Sequence, residues 1–325
     1  MPPSLRTPRA TTVCPFRGPG EHRVAVASTR PEGFRMNAPA DDLAALVEQT
    51  QELVSFPDLA LRLMDMIHDP QASASDLGNL IMEDPALTAR LLRIANSAFY
   101  GFPSRIDTVT RAVTVIGTLE LLDLVLATTM VDSFAGLPVE WIDMEAFWAH
   151  SLYTAVVTRL IAQQLRAPAH EHRFIAGLLH DIGALVLCLQ RPEALRKVLE
   201  QAAVTRRPLH ELEREHLGYH HGEVGAALMH HWHLPESLAR PAADHHDLEA
   251  VAGADFATAS VHLADVIACR AGHPGLHLGA PPPLQPACLD GLAHAEDVLD
   301  TLIETADRQF DALRQQLLPP RGRAA

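Results

Sequence analysis

Apolar residues recur at helical spacing along most of the chain. From Asp41 onward, successive segments place Leu, Ile, Val or Ala every three or four positions, as in Leu87, Leu91 and Ile94. Helix-capping residues precede several of these segments, and Asp84-Pro85 is a typical start. No strand-like alternation of useful length occurs in the first half. The pattern predicts an all-α fold.

Breaks in this pattern divide the chain. Residues 1–40 are rich in arginine and proline without apolar periodicity, which predicts a disordered extension; translation could instead begin at Met36. The segments predicted after it are an N-terminal helical lobe over 41–140, a helical bundle over 141–272, a Pro-rich linker over 273–288 and a C-terminal helix over 289–318.

Composition narrows the class of protein. Of the residues, 48% are hydrophobic and 20% charged, as in soluble globular proteins. The net charge of −14 disfavours binding to a phosphate backbone. No apolar run approaches the roughly 18 residues of a membrane span. The four cysteines are far apart, which suits a reducing compartment. We expect a cytoplasmic protein that contacts neither membrane nor DNA.

One local pattern offers an alternative. Short helices near 75–83 and 86–97 resemble a helix-turn-helix whose second helix would present Arg90 and Arg93 to DNA. The surroundings are acidic, and no wider basic patch accompanies the two arginines. The favoured interpretation is a surface arginine pair on a packed helix.

The candidate chemistry centres on His180 and Asp181. They lie in 174–189, a stretch that is apolar on all sides and is predicted to be one buried helix, in which Gly183 could allow a bend. Further histidines and an aspartate at otherwise apolar or helix-end positions complete a candidate metal-ligand set: His150, His221, His245, His246 and Asp265. Any one of these could be a hydrogen-bonded core residue, but donors on five separate helices favour a bound metal.

The donor types indicate which metal. Imidazole nitrogens mixed with carboxylate oxygens suit Fe or Mn best, with Zn or Mg as alternatives, and Asp181 could bridge two ions. Such a centre would acidify bound water and hold phosphate oxygens, so phosphoester hydrolysis is its natural chemistry. No Gly-rich phosphate loop and no Gly-x-Ser-x-Gly motif is present. Glu213 and His220 are expected to face solvent, together with His230, His231 and His233.

Several long motifs resemble the HDOD family, the HD-related output domains of bacteria, between Gln49 and Gly272. They are Phe56-Pro57-Asp58-Leu59, the run from Asp84 to Gly101, Phe147-Trp148-Ala149-His150-Ser151, the run from Gly177 to Gly183, and His221-Gly222-Glu223-Val224-Gly225. The resemblance implies an all-helical protein with an N-terminal lobe and an HD-like bundle, associated with bacterial signalling. Most family members have no assigned catalysis, and many have lost HD metal ligands.

The candidate ligands also resemble, in order, those of the catalytic HD-GYP phosphodiesterases. This chain departs from those enzymes in three respects. Ala184 stands where a lysine follows His-Asp-Ile-Gly, Ala146 replaces a glutamate one turn before His150, and no Gly-Tyr-Pro motif occurs, Gly218-Tyr219-His220 being nearest. The loss of a phosphate-contacting lysine argues against cyclic-dinucleotide hydrolysis and leaves metal binding open.

Two hypotheses result. The first is a non-catalytic or weakly catalytic output module that binds metal or a small effector, such as a nucleotide, and engages a signalling protein through its N-terminal lobe. The second is a metal-dependent phosphohydrolase acting on a nucleotide or cyclic dinucleotide. The intact ligand set favours the second, and the missing lysine and glutamate favour the first.

Overall fold

The computed structural model describes residues 40–51, 54, 56–67, 69, 71–134, 137, 141–165, 173–252, 256–286, 288 and 296–318. Within these ranges every element of regular secondary structure is a helix, so the predicted all-α class is confirmed. The disordered extension and the start at Met36 were predicted for residues outside the described ranges.

Two helices of the first half begin directly after N-cap residues that can be recognised in the sequence. Asp84 Oδ1 accepts hydrogen bonds from the backbone N–H groups of Ala86 and Leu87, and Ser73 forms a reciprocal capping box with Asp76. The helices are α1 (Ala40–Gln51), α2 (Asp58–Ile67), α3 (Ala74–Met82), α4 (Pro85–Ala95), α5 (Val109–Ile116) and α6 (Thr118–Phe134).

The second half contains longer and more deeply buried helices. They are α7 (Met144–Gln164), α8 (Arg173–Leu179), α9 (Ile182–Gln190), α10 (Pro192–Thr205), α11 (Leu209–Leu217), α12 (His221–His231), α13 (Glu236–Asp244), α14 (Leu248–Ala252), α15 (Phe256–Arg270) and α16 (Glu296–Leu317). Asp143 caps α7, and its side chain accepts the backbone N–H of Ala146.

The helices pack into two groups with a shared apolar core. Helices α2 to α6 pack on one another and form the first group. The second group, which carries the candidate ligands, consists of α7, α8, α9, α12, α13 and α15. Helix α1, which lies within the predicted N-terminal lobe, packs against α9 and α12. Helix α16 contacts α7 and also α4, so it joins the two groups.

Arg90 and Arg93, the residues of the helix-turn-helix alternative, both contact other helices. Arg90 pairs with Asp132 on α6 at 2.9 Å, and the Nε of Arg93 donates to Gln316 on α16 at 3.1 Å. Their contacts are those of a packed surface helix.

The single helix predicted over 174–189 is wrong. The chain forms α8 and α9 instead, with the break at His180-Asp181. There the Nδ1–H of His180 donates to the carbonyl of Gly177 at 2.8 Å, and Asp181 has φ −100° and ψ 7°, outside the helical region. Periodicity could not reveal the break because both helices are buried on every side. The break turns both side chains toward the same space.

Gly183 serves close packing rather than bending. A Cβ atom at this position would lie 2.0 Å from the carbonyl oxygen of His221 and 2.4 Å from the backbone nitrogen of Gly225. Helices α9 and α12 therefore touch backbone to backbone, which only glycine permits. This contact brings the start of α12 next to Asp181.

Among the described residues, Arg173–Gln190 is long and apolar enough to span a membrane, and α5 and α6 pass the same test only when they are taken together across a 119° bend. Arg173–Gln190 is 83% buried inside the fold and is broken at His180-Asp181, as expected of core helices.

Candidate metal centre

All seven predicted ligands converge on one buried site. Helix α7 supplies His150, the α8–α9 break supplies His180 and Asp181, and α12 begins with His221. His245 and His246 follow α13, and Asp265 lies in α15. None of these residues is more than 6% exposed.

The first half of the site surrounds the Nε2 atom of His150. That atom lies 3.3 Å from His180 Nε2, 3.3 Å from Asp265 Oδ1 and 3.4 Å from Asp181 Oδ2. His150, His180 and Asp265 form one group whose atoms could hold a single ion.

The second half surrounds the other oxygen of Asp181. Asp181 Oδ1 lies 3.2 Å from His221 Nε2 and 3.5 Å from His245 Nε2, and His246 Nε2 lies 3.0 Å from His221 Nε2. These four residues form a second group. Asp181 Oδ2 faces His150, and Oδ1 faces His221 and His245 but also lies 3.4 Å from Nε2 of His180. The carboxylate therefore lies between the two groups, where it could bridge two ions.

The spacings fit metal ligands. Metal–ligand distances of about 2.0–2.2 Å place neighbouring ligand atoms of octahedral or tetrahedral ions about 2.8–3.6 Å apart. The separations here, from 3.0 to 3.5 Å, lie within that range. The residues present fit two ions that share Asp181.

The site also concentrates buried polar atoms that lack hydrogen-bond partners. They are Asp181 Oδ1, Asp265 Oδ2, His245 Nε2, His246 Nδ1 and His277 Nε2. Each such atom destabilises the folded protein by about 1–3 kcal/mol when it is left unsatisfied, so five within one site would strongly destabilise the fold. Coordination to cations would satisfy them.

Backbone carbonyls fix the orientation of three imidazoles. The Nδ1 atoms of His150, His180 and His245 lie 2.7, 2.8 and 2.8 Å from the carbonyl oxygens of His273, Gly177 and Ala242. A carbonyl can only accept, so each Nδ1 carries a proton and each Nε2 can present its lone pair to the site. This is the second layer of contacts that metal-binding histidines require.

Glu213 orients the fourth imidazole. Its Oε2 lies 2.5 Å from Nδ1 of His221 and accepts the backbone N–H of the same residue at 2.9 Å. The solvent-facing position predicted for Glu213 is wrong, because its side chain is 0% exposed. Its spacing from Leu209 and Leu212 places it on the buried face of α11, and this signal could have revealed it.

Burial and neighbouring carboxylates shift the pKa values of these histidines in opposite directions. Burial alone would lower the pKa of His150, but the Asp181 and Asp265 carboxylates raise it to about 10. His221 follows the same pattern, since Glu213 and Asp181 overcome burial and raise its pKa well above the usual value. Burial lowers the pKa of His180 to about 3. In the metal-free protein at neutral pH, the His150 imidazole is therefore cationic, with protons on both ring nitrogens.

His277 is a candidate ligand that the sequence did not reveal. It lies beyond α15, and its Nε2 is 3.4 Å from Asp181 Oδ2 and 3.8 Å from Asp265 Oδ1. Its side chain is 3% exposed. It belongs to no apolar repeat, so only its presence within a histidine-rich chain hinted at a role.

The expectation that His220 faces solvent is also wrong, because it is 3% exposed. Its Nδ1 accepts the backbone N–H of Gly222 and caps α12. His210 stacks on His246 with ring centroids 4.2 Å apart, which adds a second imidazole layer around the site. His230, His231 and His233 are exposed, as expected.

Comparison with known proteins places the chain in a family. The sequence profile of the HDOD domain matches residues 53–248. An uncharacterized protein of Treponema pallidum (strain Nichols) is 28% identical over 232 residues, which cover 70% of this chain and 44% of that protein. The chain thus spans less than half the length of this relative.

Solved structures share the fold. An HDOD domain protein of unknown function from Geobacter sulfurreducens aligns with a TM-score of 0.67 at 23% identity, over 86% of this chain and all of the other. A candidate phosphohydrolase from Shewanella amazonensis SB2B gives a TM-score of 0.62 at 23% identity, over 83% and 98%.

A third structure, from Marinobacter aquaeolei VT8, is described as a candidate signal transduction protein. It aligns with a TM-score of 0.65 at 21% identity, over 86% of this chain and 65% of the other. The profile match covers more than half of the sequence and includes both the lobe and the His180-Asp181 motif. This chain belongs to the HDOD family.

Proposed function

We propose that this protein is a metal-binding signal-transduction module, in which a buried HD-type centre holds divalent ions and activity as a hydrolase is absent or weak. The observation that carries the proposal is the convergence of mutually facing, buried ligand atoms, five of which have no hydrogen-bond partner. A fold that only needed packing would fill such a space with apolar side chains.

The donor set supports Fe or Mn. Most of the ligand atoms are imidazole nitrogens and the rest are carboxylate oxygens, a combination that suits Fe, Mn and Zn better than Mg or Ca. When bound, such ions supply Lewis acidity and lower the pKa of coordinated water. Around them, the chain's own residues set the imidazole orientations through the carbonyls of Gly177, Ala242 and His273.

Two features support a regulatory role over catalysis. The candidate ligands are at most 6% exposed, so a phosphoester would need the fold to open before it could reach them. In addition, Ala184 is buried where the catalytic relatives of this motif carry a lysine, and Ala146 stands in place of a glutamate. The described structure therefore supplies no charged side chain at either position.

We further propose that the protein is cytoplasmic and that the N-terminal lobe engages a signalling protein, with a small effector or nucleotide as a further ligand. The description of the Marinobacter relative as a candidate signal transduction protein supports this assignment. The net charge of −14 favours a basic or neutral partner surface over nucleic acid.

A phosphohydrolase is the second candidate. The Asp181 carboxylate lies between the two ligand groups, which is the geometry that two-metal phosphoester cleavage uses. The shared fold with the Shewanella candidate phosphohydrolase also favours it.

Elemental analysis tests the metal centre. Protein purified without chelators should contain about two moles of Fe or Mn per mole, as expected of a two-metal site. Asp181→Ala should lose most of this metal because it removes a ligand from both groups. Metal-free wild-type protein after incubation with Fe or Mn would contradict the proposal.

Turnover separates the two candidates. The fully loaded protein should hydrolyse bis(p-nitrophenyl) phosphate, p-nitrophenyl phosphate and cyclic dinucleotides no faster than the Asp181→Ala variant. Clear turnover that Asp181→Ala and His180→Ala abolish would establish the phosphohydrolase instead.

A further inference from the structure

A strap of chain crosses the candidate metal centre after α15. We define the strap as residues 271–286, all of which the structure describes. They form no helix of their own beyond turns, yet Gly275, Leu276 and His277 are buried. All of the strap except its first two residues lies within the stretch 273–288 that was predicted to be a linker.

The strap is attached to the bundle near its beginning. The Nδ1–H of His150 donates to the carbonyl of His273, and the ring of His273 lies between Tyr153 and Phe310 with centroid distances of 4.6 Å to each. Gly275 then passes so close to His150 that a Cβ would lie 2.9 Å from the His150 Cβ. Its φ of +56° also favours glycine.

The second part of the strap is attached as well. A Cβ at Gly279 would lie 2.2 Å from the carbonyl oxygen of Arg207, so the strap crosses the α10–α11 connection at backbone contact. The backbone N–H of Gln285 donates to His262 Nε2 at 3.0 Å, and Nδ1–H of His262 donates to the carbonyl of His245 at 2.7 Å. The strap is thereby linked to the backbone of a candidate ligand.

Between these attachments the strap places His277 over the site. The His277 Nε2 atom forms one potential ligand group with His150 and Asp181, and another with His246 and Asp265. It has no hydrogen-bond partner although it is buried. The atom therefore faces both halves of the centre with its ligating capacity unused.

We propose that His277 is an additional metal ligand and that the strap closes the centre against oxyanions. The inference rests on the proposed metal centre and adds to it the residue that determines access. Closed metal sites fill every position with protein ligands, whereas catalytic sites keep one for water or substrate. In this chain, His277 fills the position that a phosphate oxygen would otherwise take.

The strap and α16, which holds His273 through Phe310, follow the part of the chain that the HDOD profile matches, since that match ends at residue 248. The core ligands up to His246 are within the domain.

Cobalt substitution tests the proposal with inorganic phosphate as the probe. Full-length wild-type protein, His277→Ala and the control His231→Ala, which alters an exposed histidine, are loaded with Co²⁺, and their visible absorption is recorded. We expect His277→Ala to bind Co²⁺ about tenfold or more weakly, as loss of a ligand contact predicts, with an altered visible spectrum. Phosphate should change the spectrum of His277→Ala saturably and leave the wild type and His231→Ala unchanged.

The outcomes are distinguishable. Identical cobalt spectra and affinities for the wild type and His277→Ala would overturn the assignment of His277. A wild-type spectrum that responds to phosphate as strongly as that of His277→Ala would overturn closure. Failure of the wild type to bind Co²⁺ would remove the metal centre and the inference with it. If His277→Ala does not fold, His277→Gln replaces the imidazole with an amide of similar reach, and the same spectral comparison decides.

Discussion

The interior of the N-terminal lobe and the interior of the bundle use buried polar groups differently. In α6 the hydroxyl of Thr128 donates to the carbonyl of Leu124 at 2.7 Å, so its polarity is satisfied within one helix. In the bundle, His150 and Asp265 come from two helices and His180 from the break between α8 and α9, and the three face one another across a common space. The first arrangement is sufficient for folding alone, and the second is complete only with a further group.

This difference teaches how to separate a functional site from a polar core. Burial of histidines or aspartates is not the distinguishing feature, since hydrogen bonds can satisfy buried polar groups. What distinguishes the centre is that its unpartnered atoms lie close to one another, while Nδ1 of His150, His180 and His245 is held by a carbonyl and Nδ1 of His221 by Glu213. That pattern prepares ligands for a cation.

The largest expected effect is a loss of stability when the backbone contact between α9 and α12 in the bundle is disturbed. Gly183→Ala would press a methyl group against the carbonyl of His221, and backbone atoms cannot yield as a side chain can. We expect the free energy of unfolding to fall by about 3 kcal/mol or more, at the upper end of overpacking effects. Urea denaturation measures it.

Gly78→Ala in α3 is the matched control. Its Cβ would meet a side-chain hydroxyl, Oγ1 of Thr110, at 3.0 Å, and alanine favours a helix over glycine. Stability should therefore change by less than about 1 kcal/mol. Equal losses in the two variants would contradict the close backbone contact of α9 and α12.

Metal removal should come next in size. Chelation leaves the ligand atoms of the centre without partners, and it removes the stabilisation by bound metal, about 2.7 kcal/mol when free metal exceeds Kd a hundredfold. The thermal midpoint should fall by about 7 °C. Scanning calorimetry with and without a chelator measures the shift.

Thr128→Val provides the comparison from the lobe. It removes a hydroxyl whose bond stays within α6, so it should lower the midpoint equally in the metal-loaded and metal-free protein. If chelation left the midpoint of the wild type unchanged, the unpartnered atoms would have some other source of stabilisation.

A smaller effect concerns the support of one ligand. Glu213→Gln replaces the carboxylate that holds Nδ1 of His221 and should weaken metal binding about tenfold to hundredfold. Glu215→Gln on the same helix alters an exposed ion pair with Arg207 and should leave metal affinity unchanged. Competition with a fluorescent chelator gives both affinities, and indistinguishable values would show that Glu213 is dispensable.

The smallest effect is the dependence of metal binding on pH. His150, with a pKa near 10, holds a proton at neutral pH in the metal-free protein and must release it before Nε2 can bind a cation. Metal affinity should therefore rise with pH, and calorimetry in buffers of different ionisation enthalpy should show about one to two protons released per protein.

In the metal-free protein, the contribution of His150 to the free energy of unfolding should fall as pH rises, whereas metal affinity should increase. The folded-state pKa of His150 is raised above its unfolded value of about 6.5, so this stabilising contribution is fully present below pH 6.5. The contribution is lost as pH rises toward about 10. Metal affinity that is constant from pH 6 to 8 would contradict the protonated state assigned to His150.

The sequence was sufficient for the fold class and for most of the candidate site. Helical periodicity and the cap at Asp84 predicted α4, because local chemistry determines where that helix begins. The seven convergent residues could be named because polar donors in apolar helices are conspicuous. Their role as ligands stays a prediction.

What the sequence concealed depends on tertiary contacts. The break at His180-Asp181 lies within a uniformly apolar stretch, in which no periodicity exists to be interrupted. The role of Gly183 requires the position of Gly225, which comes from another helix. His277 lies among turns, where burial follows no repeat, and Glu213 was hidden by the acidic residues beside it on α11.

The attachment of α16 has a consequence for how a cation reaches so enclosed a site. Helix α16 bonds to partners very distant along the chain: Gln316 to Arg93, across 223 positions, and Asp307 to Tyr153, across 154. Contacts between such distant segments are the slowest to form during folding, because long loops must close first. The bundle would thus exist for a time before α16 fixes His273 and the strap settles. An ion can enter in that interval, and also in the finished protein whenever α16 opens locally, so that the rate of metal exchange should follow the opening of α16.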